Sequence, residues 1–151
     1  EAFARGQRGG RQLELYWTGG EYLGVGMGAS SMRIPDASEE RGAVVRRRNR
    51  PALDAYLSGP RAETREMTVP AYLGERLAFG MRTRRGIRWE SLRRQFESAL
   101  SGAALRRARD VLEWCLEHAF AEKSEGRIRP TDRGLDVADG LGREMRRRLR
   151  A

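Results

Sequence analysis

From Thr68 onward the apolar positions recur at helical spacing. Leu73, Leu77 and Met81 stand four apart, which lines one face of a helix, with Thr68 placed to cap it and Pro70 in its first turn. Gly86 closes that element. Leu92 and Phe96 predict a second, short helix, and Leu105, Val111, Leu112, Cys115 and Leu116 a third over about 103–120. Residues 121–129 then read as a small hairpin turning at 124–126, and Thr131 is a good N-cap for a last helix over about 133–148. The apolar stripe of this half is read as core, and Trp89 and Trp114 as core or interdomain packing rather than stacking platforms for bases.

Helix, helix, helix, hairpin, helix is the order of a winged-helix domain. The first 59 residues have a different texture, rich in glycine. Two β-type segments, 13–17 and 22–25, are separated by Gly19-Gly20. Two such strands are unstable alone in water, so they are expected to need a sheet from outside this chain. A short helix is predicted over 51–57, with Pro51 in its first turn and Gly59 at its end. Residues 60–68 are polar, contain Pro60 and read as a linker. The expected organisation is therefore 1–59, a linker at 60–68, and a mainly helical domain over 69–151. The fold class is α+β.

The formal charge of +9 directs attention to nucleic acid, since basic side chains neutralise phosphates. Of the 30 basic residues, however, only Lys123 is a lysine. That skew fits an arginine-favouring genome better than thirty phosphate contacts, and many arginines stand beside acids, as in Glu39-Glu40-Arg41 and Arg143-Glu144-Met145-Arg146. The alternative stays open: a winged helix presenting Arg106, Arg107 and Arg109 to a groove, with Arg127 and Arg129 on the wing. Cys115 is the single cysteine, so no internal disulfide forms, which fits a reducing interior. No apolar run approaches the roughly 20 residues that span a bilayer, and no signal peptide is visible. A soluble, cytoplasmic protein is expected. The chain opens at Glu1 without methionine and reads as a cut start.

The segment most suggestive of chemistry is Glu21-Tyr22-Leu23-Gly24-Val25-Gly26-Met27-Gly28-Ala29-Ser30-Ser31. Alternating glycines let backbone approach a ligand closely, because no Cβ intrudes. The spacing is not the dinucleotide fingerprint, whose third glycine comes later, and it lacks the Gly-Lys-Ser/Thr ending of a P-loop. A tight turn at a barrel rim is the plain alternative.

The surroundings carry more. Phe3-Ala4-Arg5, then Tyr16-Trp17, then Gly20-Glu21-Tyr22-Leu23-Gly24-Val25-Gly26 and Gly28-Ala29-x-Ser31, resemble the end of the catalytic domain in the oxygen-independent coproporphyrinogen III oxidase and haem-chaperone family, the HemN and HemW types of radical-SAM protein. Arg48-Asn49 before Tyr56-Leu57 resembles the family's next element. Glu75-Arg76-Leu77-Ala78-Phe79-Gly80-Met81-Arg82 with Gly86-Ile87 is similar to the opening of its C-terminal domain, and residues 127–135 (RIRPTDRGL) to the wing and last helix. The resemblance runs in order over nearly the whole chain.

It implies that the first segment is the last part of a radical-SAM partial α/β barrel and the second a winged-helix-like lid. In the family, Cys-x-x-x-Cys-x-x-Cys near the N-terminus holds a [4Fe-4S] cluster, whose open iron binds S-adenosylmethionine. With one cysteine, this chain cannot assemble that cluster. The cofactor-contact residues carried over are Gly26, Met27, Gly28, Ala29 and Ser30, facing S-adenosylmethionine. No catalytic residue and no metal ligand is assigned. The chaperone branch shows His-Asn-x-x-Tyr-Trp and often a second histidine after Gly-Ala; here Gln12 and Ser30 stand in those places, so haem binding through the usual imidazole is not expected. His118, the single histidine, is expected to be partly buried and satisfied by a backbone carbonyl. The implied partners are the remaining N-terminal barrel portion and a porphyrin or haem, with nucleic acid disfavoured. A scaffold that has lost catalysis is a further alternative.

Overall fold

A computed structural model of the chain describes residues 11–34, 44–59 and 63–150. Phe3-Ala4-Arg5, Glu39-Glu40-Arg41 and Pro60 lie outside the described residues. The chain divides into two units, 1–69 and 70–151.

The first unit opens with a helix, α1 (Arg11–Thr18), where the sequence reading expected a strand over 13–17. Leu13-Glu14-Leu15-Tyr16-Trp17 satisfies both a period of two and a period near 3.6, and five residues are too few to separate them. Of the second expected strand, only Tyr22 pairs, in an antiparallel bridge to Met32. The sheet lies elsewhere and is supplied by this chain itself. Strands β1 (Ser30–Arg33), β2 (Val44–Arg48) and β3 (Glu63–Met67) pair antiparallel in the order β1-β2-β3. Residues 63–67, expected within a linker, are thus an edge strand. Their mostly exposed side chains gave no apolar signal. Between β2 and β3 runs the short α2 (Leu53–Leu57), which starts two residues after Pro51. Met32 and Val44 are the buried apolar side chains of the sheet.

The second unit follows the predicted order closely. Helices α3 (Val69–Gly80), α4 (Trp89–Phe96) and α5 (Gly102–Glu117) precede a hairpin of β4 (Ala121–Ser124) and β5 (Arg127–Pro130). Glu125 and Gly126 at its tip both have positive φ, the geometry of a type I′ turn, which matches the twist of the flanking strands. Ser101 caps α5 by accepting from the Ala104 N–H at 3.2 Å, and Thr131 caps the next helix by accepting from the Gly134 N–H at 3.1 Å. The expected last helix is broken at Val137 into α6 (Asp132–Asp136) and α7 (Ala138–Arg150). Leu73, Leu77 and Met81 are buried together with Phe96, Leu112, Cys115 and Met145, so the four-residue spacing does mark the core. Gly86 sits at φ 65°, and a Cβ there would lie 2.2 Å from the Ile128 carbonyl oxygen. That absence of a side chain lets Ile87 bridge to Ile128 along the free edge of the hairpin.

Candidate functional site

The glycine loop leads into β1 and is held by groups from the far end of β2 and from α2. The Asn49 side-chain amide donates to two of its carbonyls, Gly26 at 2.8 Å and Gly24 at 3.3 Å. The Gly26 N–H donates to the Tyr56 hydroxyl at 3.3 Å, and the Gly24 N–H to the Ser31 hydroxyl at 3.0 Å. Backbone bonds complete the frame: the Gly28 N–H to the Arg50 carbonyl at 3.0 Å, and the Asn49 N–H to the Ala29 carbonyl at 2.8 Å. The loop's shape is therefore fixed from outside it.

Glycine is needed here for two separate reasons. Gly26 and Gly28 have φ of 100° and 70°, where an L side chain is strained. At Gly24 a Cβ would lie 2.2 Å from the Ser30 carbonyl oxygen, so that position is closed sterically instead. Around Gly26 the space is open, with nothing within 4 Å of where a Cβ would stand. Leu23, Val25 and Met27, the intervening residues, are exposed at 83%, 82% and 57%. The loop thus presents a backbone edge and three uncovered apolar side chains.

The structure keeps Gly26, Met27, Gly28 and Ala29 on one loop and places Ser30 as the first residue of β1, but none of the five lines the cavity of about 450 Å³ beside it. That cavity lies between Glu21, Tyr22, Leu23, Met32, Val45 and Arg47. Glu21 at its edge accepts from the Ile34 N–H at 2.7 Å. Asn49 and Tyr56, which position the loop, were visible in the sequence only as parts of a motif. Their separation of 23 and 30 residues from Gly26 hides the contact from any local reading.

The donors for an iron–sulfur cluster are not in this chain. Its single cysteine, Cys115, is buried on α5, and burial pushes its thiol up to about 11, with Arg148 opposing the shift. Three thiolates are required, and a buried protonated thiol is the opposite of one. Among the described residues no group of three or more His, Cys, Asp or Glu side chains is arranged to hold a metal ion. His118 ends α5 and is exposed rather than partly buried, although its Nδ1 does lie 3.0 Å from the Trp114 carbonyl, as expected. Trp114 is half-buried, with the Arg148 guanidinium 4.1 Å above its ring and Phe120 at 5.7 Å. No helix among the described residues is long and apolar enough to cross a membrane.

The second unit, from α3 through the hairpin to α6, carries the family signal. Residues 67–137 match the HemN C-terminal domain. The match begins at the last residue of β3 and ends at Val137, where α6 gives way to α7. It therefore takes in every element from α3 to α6, including the hairpin and its bridge to Ile87. The glycine loop lies upstream of the residues matched to the HemN C-terminal domain. No curated protein and no solved structure matches the chain.

Proposed function

We propose that this chain is the C-terminal part of a HemN- or HemW-like radical-SAM protein of haem or porphyrin metabolism, with the cluster and substrate pocket supplied by the rest of the barrel. The observation that carries this reading is the match of residues 67–137 to the HemN C-terminal domain. The loop geometry supports it: a glycine edge with open space at Gly26, held by Asn49 and Tyr56, suits close approach of a ligand to backbone.

In this reading Gly26, Met27, Gly28, Ala29 and Ser30 bind and orient S-adenosylmethionine, and Asn49 and Tyr56 position them. S-adenosylmethionine would supply the radical chemistry. The three cluster thiolates come from outside these 151 residues. The second unit is a winged-helix-like lid that covers the barrel mouth or guides a tetrapyrrole.

The test is a chain extended upstream to its Cys-x-x-x-Cys-x-x-Cys motif and reconstituted anaerobically with iron and sulfide. It is expected to bind S-adenosylmethionine and to release 5′-deoxyadenosine on reduction. Gly26→Val, strained at φ 100°, should weaken that binding by about tenfold or more. An upstream reading frame without the three cysteines, or a reconstituted protein indifferent to S-adenosylmethionine, would sink the reading.

A further inference from the structure

The bridge between Ile87 and Ile128 has a consequence for charge. These residues exchange both backbone hydrogen bonds, each at 2.8 Å, so Ile87 lies antiparallel beside β5, with β4 on its other side, and Arg88 continues from it with an extended backbone before α4 begins. Ile87 and Ile128 are both buried, which turns their chain neighbours to the opposite, outer face. Continued by one residue through the extended Arg88, the antiparallel bridge sets Arg88 beside Arg127, and β4 sets Ser124 across from Arg127. Arg129 and Glu122 form the next row.

Like charges on directly opposed strand positions repel. The Arg127 pKa is lowered, first by burial and then by the positive charges of Arg88, Arg85 and Arg129, with Glu125 opposing. Other arginines nearby are neutralised: Arg84 pairs with Asp132 at 2.9 Å, and Arg129 pairs with Glu125. Among the described residues neither Arg88 nor Arg127 is joined to an acid by an ion pair. Ser124 ends their row, and its Oγ accepts from Arg129 Nη1 at 3.4 Å, which leaves its hydroxyl hydrogen available to a further acceptor.

We propose that this outer face is a binding site for a compact, multiply charged oxyanion, clamped by the guanidiniums of Arg88 and Arg127 with the Ser124 hydroxyl as a third donor. Two adjacent guanidinium forks suit phosphate or carboxylate oxygens and exchange mutual repulsion for charge-assisted hydrogen bonds. The ligand is compact because Glu122 in the next row and Glu125 at the hairpin tip bound the patch on either side, so a long polyanion would meet an acid in both directions. This site stands independently of the reading of the glycine loop.

Thermal unfolding and calorimetry of the chain at low ionic strength test it, with pyrophosphate and citrate as separate probes to tell a phosphate from a carboxylate ligand. One or both should raise the wild-type Tm by about 3 °C or more at saturation. Arg88→Gln and Arg127→Gln should each weaken that probe at least tenfold, while Arg107→Gln, an exposed arginine on α5, should leave it unchanged. Without ligand, Arg127→Gln should melt no lower than wild type. Equal responses in all three variants would reduce the effect to diffuse charge and overturn the proposal. A DNA duplex that binds more tightly than either probe would overturn it as well.

Discussion

The Asn49 side-chain amide and the Gly26 carbonyl meet at 2.8 Å, and the same nitrogen reaches the Gly24 carbonyl at 3.3 Å. One side chain thus ties two turns of the glycine loop to the end of β2. Asn49→Ala removes both bonds and should cost about 1–2 kcal/mol locally. The amide of Gly28, which donates to Arg50 inside the same frame, should exchange with solvent about tenfold faster. Unchanged protection would mean that the backbone alone holds the loop.

Tyr56→Phe is a gentler probe of the same clamp. It keeps the ring and removes the acceptor of the Gly26 N–H. Amide exchange at Gly26 should accelerate several-fold while Tm moves by less than about 2 °C, since one part-buried hydrogen bond contributes about 1 kcal/mol. A large loss of Tm would assign Tyr56 to packing instead.

Gly86→Ala should damage the second unit out of proportion to its size. The new methyl would stand 2.2 Å from the Ile128 carbonyl oxygen and 2.7 Å from the Arg129 Cα, at a φ of 65°. A cost of about 2 kcal/mol or more is expected, because strain at positive φ adds to displacement of the bridge. Chemical denaturation reads it directly. A cost under about 0.5 kcal/mol would show that the bridge yields without penalty.

Cys115 gives the chain a stability component that alkali removes. Burial raises its thiol from 9.0 to about 11 in the folded state. Below pH 9 the thiol is protonated in folded and unfolded chains alike. As pH rises from about 9 to about 11 the unfolded chain releases its proton first, so stability falls, by on the order of 2 kcal/mol. Cys115→Ala should show a shallower decline over that window. In the native protein at pH 8 the thiol should resist alkylating reagents until the chain unfolds.

The second unit was legible because its signals are local. Leu73, Leu77 and Met81 announce a buried helix face, Ser124 to Gly126 a turn, and Thr131 a cap, and each acts over four residues or fewer. The break at Val137 was not, since Val137, Leu141 and Met145 recur every four residues and carry a helical period through it. In the first unit the strands escape for the opposite reason. Val44-Val45-Arg46-Arg47-Arg48 and Glu63-Thr64-Arg65-Glu66-Met67 lack an apolar alternation because little of either is buried. The glycines themselves could be picked out, yet the contacts that shape them come from Asn49 and Tyr56, and no pattern of spacing encodes such a meeting.

The base of the hairpin is tied off. The Thr131 N–H donates to the Phe120 carbonyl at 3.1 Å, the Thr131 hydroxyl donates to the Ala119 carbonyl at 2.8 Å, and Gly134 lies so close that a Cβ would stand 2.0 Å from the Phe120 oxygen. The tip is the reverse: a Cβ placed on Gly126 would meet nothing within 4 Å beyond its chain neighbours. Length added at 125–126 would extend the arm without reaching its root, which makes the tip a natural attachment point for a fluorophore or an affinity tag.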